Sequence, residues 1–229
     1  MTAQGTLTKI PGSPFAAGGG DEGIVVDPAG KFLYAADSNT STITAFKIDQ
    51  TTGALTAIAG SPFALGDVPK FMVIERTGKF MYVSAPETDN VLVLSINPST
   101  GALTTVGSPV ASGGPNPGGL AASPDGKFLF IANNGDNGSV PAVPGSVSAF
   151  AINPSSGALT AVAGSPFTAG PNPKRLTVDP ASKFVYATNE DSDNMSAFSI
   201  TRGTGVLTQI NGSPFATNVG SEGVVITSR

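Results

Sequence analysis

Gly53–Phe63 reads GALTAIAGSPF, and the chain returns to that phrase four more times. It is GTLTKIPGSPF at Gly5–Phe15, GALTTVGSPV at Gly101–Val110, GALTAVAGSPF at Gly157–Phe167 and GVLTQINGSPF at Gly205–Phe215. The leading glycines are 48, 48, 56 and 48 residues apart. A second phrase keeps step with the first: DPAGKFLYAAD from Asp27, ERTGKFMYVSA from Glu75, SPDGKFLFIAN from Ser123 and DPASKFVYATN from Asp179. A period in the forties, built from short strand-like segments, is one supersecondary unit repeated around an axis or along a line.

Each period divides into four strand candidates. Strand A is a short apolar run: GIVVD (Gly23–Asp27), FMVIE (Phe71–Glu75), GLAAS (Gly119–Ser123), RLTVD (Arg175–Asp179) and GVVIT (Gly223–Thr227). Near-continuous apolarity predicts a strand covered on both faces, as an innermost strand is. A turn rich in Pro and Gly follows, then strand B with aromatics at alternate positions: Phe32 and Tyr34, Phe80 and Tyr82, Phe128 and Phe130, Phe184 and Tyr186. Aromatics two apart share a face, so they are expected to interdigitate with the neighbouring unit. Strand C (Ser41–Ile48, Asn90–Ile96, Ser146–Ile152, Asn194–Ile200) alternates apolar and polar residues, as a half-buried strand does. Strand D is the opening phrase, and its Thr-rich alternation with a following Pro suits an outer edge.

Four-stranded antiparallel units at this period, without helical patterning, describe the blades of a β-propeller. A β-solenoid needs shorter rungs and an immunoglobulin array about twice the period. The expectation is one all-β domain over residues 1–229, with repeats at 5–52, 53–100, 101–156, 157–204 and a partial repeat at 205–229. The third repeat carries its eight extra residues in the B–C loop, near 134–145. The strand count gives four complete blades plus a terminal D strand (Gly5–Phe15) and a terminal A strand (Gly223–Thr227). That describes a five-bladed ring whose closing blade lacks its two middle strands. Its open edges have three readings: a longer ring-forming chain, completion by another copy, or compact closure by the neighbouring blades.

The segments Tyr186-Ala187-Thr188-Asn189 and Phe130-Ile131-Ala132-Asn133 resemble the YVTN repeat. Together with DPxGKFxY and TGALTxVxGSPF they closely resemble the lactonase-like β-propellers related to bacterial 6-phosphogluconolactonase. The resemblance runs over essentially the whole chain. It implies a propeller fold, an extracellular or periplasmic location, and a lactone-handling site at the central channel that uses His, Arg and Glu.

Composition narrows the chemistry. Charged residues make up only 12 % of the chain and the net charge is −4, with Lys and Arg scattered singly. A nucleic-acid partner is therefore excluded, because counterion release needs a clustered basic face. No apolar run reaches the roughly 18 residues of a membrane span, and the N-terminus as given carries no signal-peptide pattern. There is no histidine and no cysteine. The commonest general base, the commonest nucleophile and an ordinary zinc site are all missing.

The residues before strand A are expected to rim one mouth of the channel. Glu22, Lys70, Lys174, Arg175 and Glu222 would form a polar cup for a small anionic or sugar-like ligand. If the protein is a lactonase, Glu22 or Glu222 is the base, and Lys70, Lys174 or Arg175 holds the carbonyl oxygen. The acidic loop Asn189–Asn194 offers Glu190, Asp191 and Asp193 as candidate Ca²⁺ ligands, although its spacing is not that of an EF-hand and turn chemistry explains it as well. No other cofactor is expected. The sequence on its own favours a non-catalytic structural or binding module that self-associates through open blade edges. The alternatives are a lactonase-type hydrolase acting on a sugar lactone at the channel mouth and a Ca²⁺-dependent adhesion module.

Overall fold

The computed structural model describes residues 7–136, 138, 143–217 and 223–224, with backbone alone at Asp21 and Glu22. Four antiparallel sheets follow one another along the chain. Blade 1 contains β1 (Asp21–Val26), β2 (Phe32–Asp37), β3 (Thr42–Ile48), β4 (Leu55–Ala57) and β5 (Phe63–Ala64). Blade 2 contains β6 (Met72–Ile74), β7 (Phe80–Ala85), β8 (Asn90–Ile96), β9 (Leu103–Thr105) and β10 (Val110–Ala111). Blade 3 contains β11 (Pro117–Ala122), β12 (Phe128–Asn133), β13 (Ser146–Ile152), β14 (Leu159–Ala161) and β15 (Phe167–Thr168). Blade 4 contains β16 (Pro173–Val178), β17 (Phe184–Asn189), β18 (Asn194–Ile200), β19 (Leu207–Gln209) and β20 (Phe215–Ala216). The expected β-propeller architecture holds. Among the described residues the one helical element is a 3₁₀ turn at Glu190–Ser192, and no helix is long and apolar enough to cross a membrane.

Strand D departs from expectation in form. In every blade it is two short segments that both pair with the third strand, as β4 and β5 do with β3. The A-G-S-P stretch turns the chain out of the ladder between them, since Gly60 lies at φ 86° and Pro62 cannot donate. The first D phrase departs further. Residues 7–15 form no strand, because the third strand that would pair with them is not present among the described residues. The final strand A, Gly223–Thr227, lies outside the described residues except for Gly223 and Val224.

The turn between strands A and B explains the acid in its motif. The Asp27 carboxylate accepts N–H groups of Ala29, Lys31 and Phe32 at 3.2, 2.6 and 2.6 Å. Glu75 and Asp179 do the same in blades 2 and 4, and the Ser123 hydroxyl accepts from Lys127 and Phe128 in blade 3. A buried acceptor here satisfies donors that the tight turn leaves without ladder partners.

The core lies between blades, in three layers. Phe32, Tyr34 and Ile43 of blade 1 pack on Met81, Leu92 and Leu94 of blade 2. Phe80, Tyr82 and Val93 of blade 2 pack on Leu129, Ile131 and Phe150 of blade 3. Phe128, Phe130 and Val147 of blade 3 pack on Val185, Phe198 and Leu207 of blade 4. Each junction also uses the leading glycine of the repeated phrase. A Cβ on Gly101, Gly157 or Gly205 would lie within 2.5 Å of the ring of Phe32, Phe80 or Phe128 of the preceding blade. Above that contact the Tyr34 hydroxyl donates to the Gly101 carbonyl at 2.9 Å, and Tyr82 to Gly157 at 3.0 Å. Burial first, and the nearby Asp27 and Glu75 carboxylates second, push both phenols well above the ordinary tyrosine range, so both remain donors.

Candidate functional site

Gly23, Phe71, Gly119, Arg175 and Gly223 occupy one position of the repeat, at the start of the innermost strand. Contact imposes two of these glycines. A Cβ on Gly23 would lie 2.6 Å from the Lys70 carbonyl oxygen, and one on Gly119 would lie 3.0 Å from both the Lys174 carbonyl oxygen and the Arg175 Cα. Inner strands thus approach backbone to backbone beside each glycine, and the side chains of Phe71 and Arg175 take the axial space. With no side chain at Gly119, nothing of blade 3 separates Arg175 of blade 4 from Phe71 of blade 2. The guanidinium carbon lies 3.7 Å from the centroid of the Phe71 ring. Stacking on a buried ring face holds a cation by about 1–2 kcal/mol and leaves its N–H edges available.

Around this pair is a cavity of about 550 Å³, within the range of small-molecule sites. Ile24, Met72, Leu120, Leu176 and Val224 line it beside the glycines, and Arg175 is the one ionisable side chain lining it among the described residues. No described carboxylate pairs with Arg175 within ion-pair distance. A guanidinium facing a concave space is suited to a carboxylate or a polarised carbonyl oxygen.

The structure distributes the other expected site residues differently. Lys70 precedes Phe71 and approaches its ring at 5.8 Å, but it lines a separate cleft with Asn39, Pro69 and Glu87. Lys174 points away from the cavity, and its ammonium meets Glu190 at 2.7 Å. Lys174 is thus committed to the B–C loop, whereas Arg175 enters the channel. The Glu22 backbone leads into Gly23, its side chain is not described, and Glu222 lies outside the described residues.

Glu190 also accepts from the Asn172 amide at 3.0 Å, and Asp191 shares that amide at 3.1 Å. Asp193 takes the left-handed position that ends the 3₁₀ turn, with φ 47°. The loop's acids thus serve its own geometry, and the described residues hold no cluster of three metal-capable side chains. Sequence reasoning missed Phe71, the platform beneath the cation. The alternation Gly–Phe–Gly–Arg–Gly at repeat spacing was the signal that could have found it.

Comparisons with known proteins give the family of the chain. The family described as "Lactonase, 7-bladed beta-propeller" matches residues 1–117 and 111–225. The chain belongs to that family. The family's ring is described with seven blades, and the described residues of this chain supply four. No curated protein matches the chain. Among solved structures, a candidate 6-phosphogluconolactonase from Bacteroides uniformis superposes with a TM-score of 0.74 at 21 % identity, over 86 % of this chain and 55 % of its own. One from Bacteroides fragilis gives 0.73 at 25 % identity, over 85 % and 54 %. A periplasmic gluconolactonase from Pseudomonas aeruginosa gives 0.68 at 22 % identity, over 87 % and 55 %. This lactonase-family chain therefore spans about half the length of the structures it resembles.

Proposed function

We propose that the chain forms the lactone-binding side of a lactonase-type propeller, with a sugar lactone or the corresponding sugar acid held in the central channel. The observation that carries this reading is Arg175, stacked on Phe71 in the channel cavity and without a described carboxylate partner. Its N–H edge would donate to the lactone carbonyl oxygen, where charge grows when water adds to the carbonyl carbon. With no histidine in the chain, the proton of that water would pass to a carboxylate, and Glu22 is the acid adjoining the cavity-lining Gly23. The proton would then move to the departing ring oxygen, completing the hydroxy acid. Family membership favours this over the non-catalytic scaffold that the sequence suggested by itself. An extracytoplasmic location goes with the proposal, as the name of the Pseudomonas neighbour carries it.

The test is a panel of sugar lactones and aldonic acids, read by calorimetry for binding and by proton release for turnover. Arg175→Ala should weaken binding at least tenfold, and Arg175→Lys should restore only part of it. Glu22→Gln should remove turnover and leave binding. Binding unchanged in Arg175→Ala would overturn the proposal.

A further inference from the structure

In each of the four blades the inner strand enters through one extra residue. Glu22 with Gly23, Lys70 with Phe71, Gly118 with Gly119 and Lys174 with Arg175 each stand opposite a single residue of strand B. Those single residues are Ala36, Ser84, Ala132 and Thr188. A bulge of this kind bends the strand and re-aims the side chain it carries. The second residue of each pair is the one that lines the channel cavity.

The strand B residue follows what its bulge carries. Opposite Gly23 and Gly119, which have no side chain to aim, it is alanine. Opposite Phe71 and Arg175 it is a hydroxyl residue, with Ser84 0 % and Thr188 2 % exposed. Both hydroxyls meet the bulge backbone. The Phe71 N–H donates to Ser84 Oγ at 3.0 Å, and the Ser84 hydroxyl donates to the Phe71 carbonyl at 3.4 Å. The Ser84 backbone completes the clasp, donating to the Phe71 carbonyl and accepting from the Lys70 N–H at 2.9 Å each. In blade 4 the Thr188 hydroxyl donates to the Arg175 carbonyl at 3.4 Å. A buried hydroxyl is costly without a partner, and the bulge supplies the partner in both blades. The Lys174–Glu190 ion pair ties down the other residue of the blade 4 bulge.

We propose that Ser84 and Thr188 are positioning residues for the stacked pair in the channel. They set the bulge backbones from which Phe71 and Arg175 project, and so keep the guanidinium carbon 3.7 Å from the ring centroid. Rotation of either bulge would slide the cation off the ring face and turn its N–H edge, and a shift of about 1 Å at such a group is costly. The hold on the pair belongs to the fold, whereas its consequence for a ligand rests on the channel site proposed above.

NMR of the arginine side-chain Nε–H groups reads the pair with no ligand present, because a guanidinium over an aromatic face is shifted upfield by the ring. The chain has four arginines, and Arg175→Lys assigns the signal by removing it. Thr188→Ala and Ser84→Ala should each move that signal downfield, toward that of a solvated arginine, while Thr188→Ser leaves it in place. Blades 1 and 3 already carry alanine at this position, so the fold accommodates both variants, and circular dichroism confirms it. Calorimetry with gluconate should show binding weakened about three- to tenfold by Thr188→Ala, the scale of one hydrogen bond. No further loss is expected when Arg175→Ala is already present. An Nε–H signal unmoved in both alanine variants would overturn the proposal. So would an equal loss of affinity with and without Arg175. Wild-type binding in Arg175→Ala refutes the channel reading alone, and the Nε–H signal still decides the positioning role.

Discussion

The junction between blades 2 and 3 and the outer side of blade 4 use nearly the same residues in opposite circumstances. At the junction Phe80 lies on Gly157, Tyr82 reaches the Gly157 carbonyl, and both aromatics are buried. On blade 4, Phe184 and Tyr186 keep the spacing but are only half-buried among the described residues. The strand therefore specifies the aromatic pair, but the stabilisation belongs to the junction. A residue's worth in this fold depends on whether a following blade covers it.

Glycine substitutions break that comparison most sharply. Gly157 lies at φ 74°, and a Cβ would sit 2.5 Å from the Phe80 ring, itself only 7 % exposed. Gly157→Ala combines left-handed strain with overpacking and should cost about 3 kcal/mol in urea unfolding. Gly203 has a similar φ of 93° but nothing within 4 Å, so Gly203→Ala should cost only about 1 kcal/mol. Gly53→Ala falls between them, since Ile10 is the flexible end of an exposed side chain. Equal costs at Gly157 and Gly203 would mean that backbone strain, and not the junction, fixes the glycine.

The tyrosines give a smaller effect of the same kind. Tyr82→Phe removes a 3.0 Å hydrogen bond and leaves the Gly157 carbonyl without that donor, a loss of about 1–2 kcal/mol. Tyr186→Phe removes a hydroxyl for which the described residues show no acceptor and should change stability by less than about 0.5 kcal/mol. Blade 3 already carries the natural variant, Phe130, in the buried position. Phe130→Tyr places a hydroxyl toward the Gly205 hairpin and should gain about 0.5–1 kcal/mol if the repeat geometry holds there. Chemical denaturation of the three variants ranks them in one experiment.

Much of this was legible in the sequence, because a repeat displays its own register. Alternate Phe and Tyr on strand B gave the shared face, and the Pro and Gly after strand A gave the turn. Other features depend on contacts that one repeat cannot reveal. The leading glycine of GALT reads as a turn residue, whereas its tighter constraint is the ring of the preceding blade. The first GTLTKI phrase reads as a strand, but pairing needs a partner and its described residues have none. Lys174 and Arg175 read as a joint cationic rim, but in the structure one meets Glu190 and the other enters the channel. At that end of β16 the register with β17 also shifts between Pro173 and Arg175, which strict alternation does not foresee.

The smallest expected effect concerns the last position of strand B, where blades 1, 3 and 4 carry Asp37, Asn133 and Asn189, and blade 2 carries Ala85. All three polar side chains are buried, and each anchors the start of its B–C loop. Asn133 donates to the Ser146 and Ser148 hydroxyls, and Asn189 to Asn194 and Ser196. Asp37 instead accepts, from the Thr40 hydroxyl at 2.7 Å and from the Asn39 and Thr40 amides. The Thr40 hydroxyl above all, helped by those amides and opposed by burial, holds its carboxyl below the ordinary value of 3.8. A depressed folded-state pKa adds stability that is complete above the ordinary value and is lost as pH falls through the lowered one. Blade 1 is thus acid-sensitive at a position where blades 3 and 4 are not. Asp37→Asn should flatten part of the fall in melting temperature below pH 4, while Asp49, whose carboxyl the Thr52 and Thr51 amides also hold below the ordinary value, preserves the rest. Asn133→Asp should steepen that fall, because the Ser146 and Ser148 hydroxyls can turn to donate to a carboxylate. If neither substitution alters the acid limb, the acid sensitivity of the fold lies outside these loops.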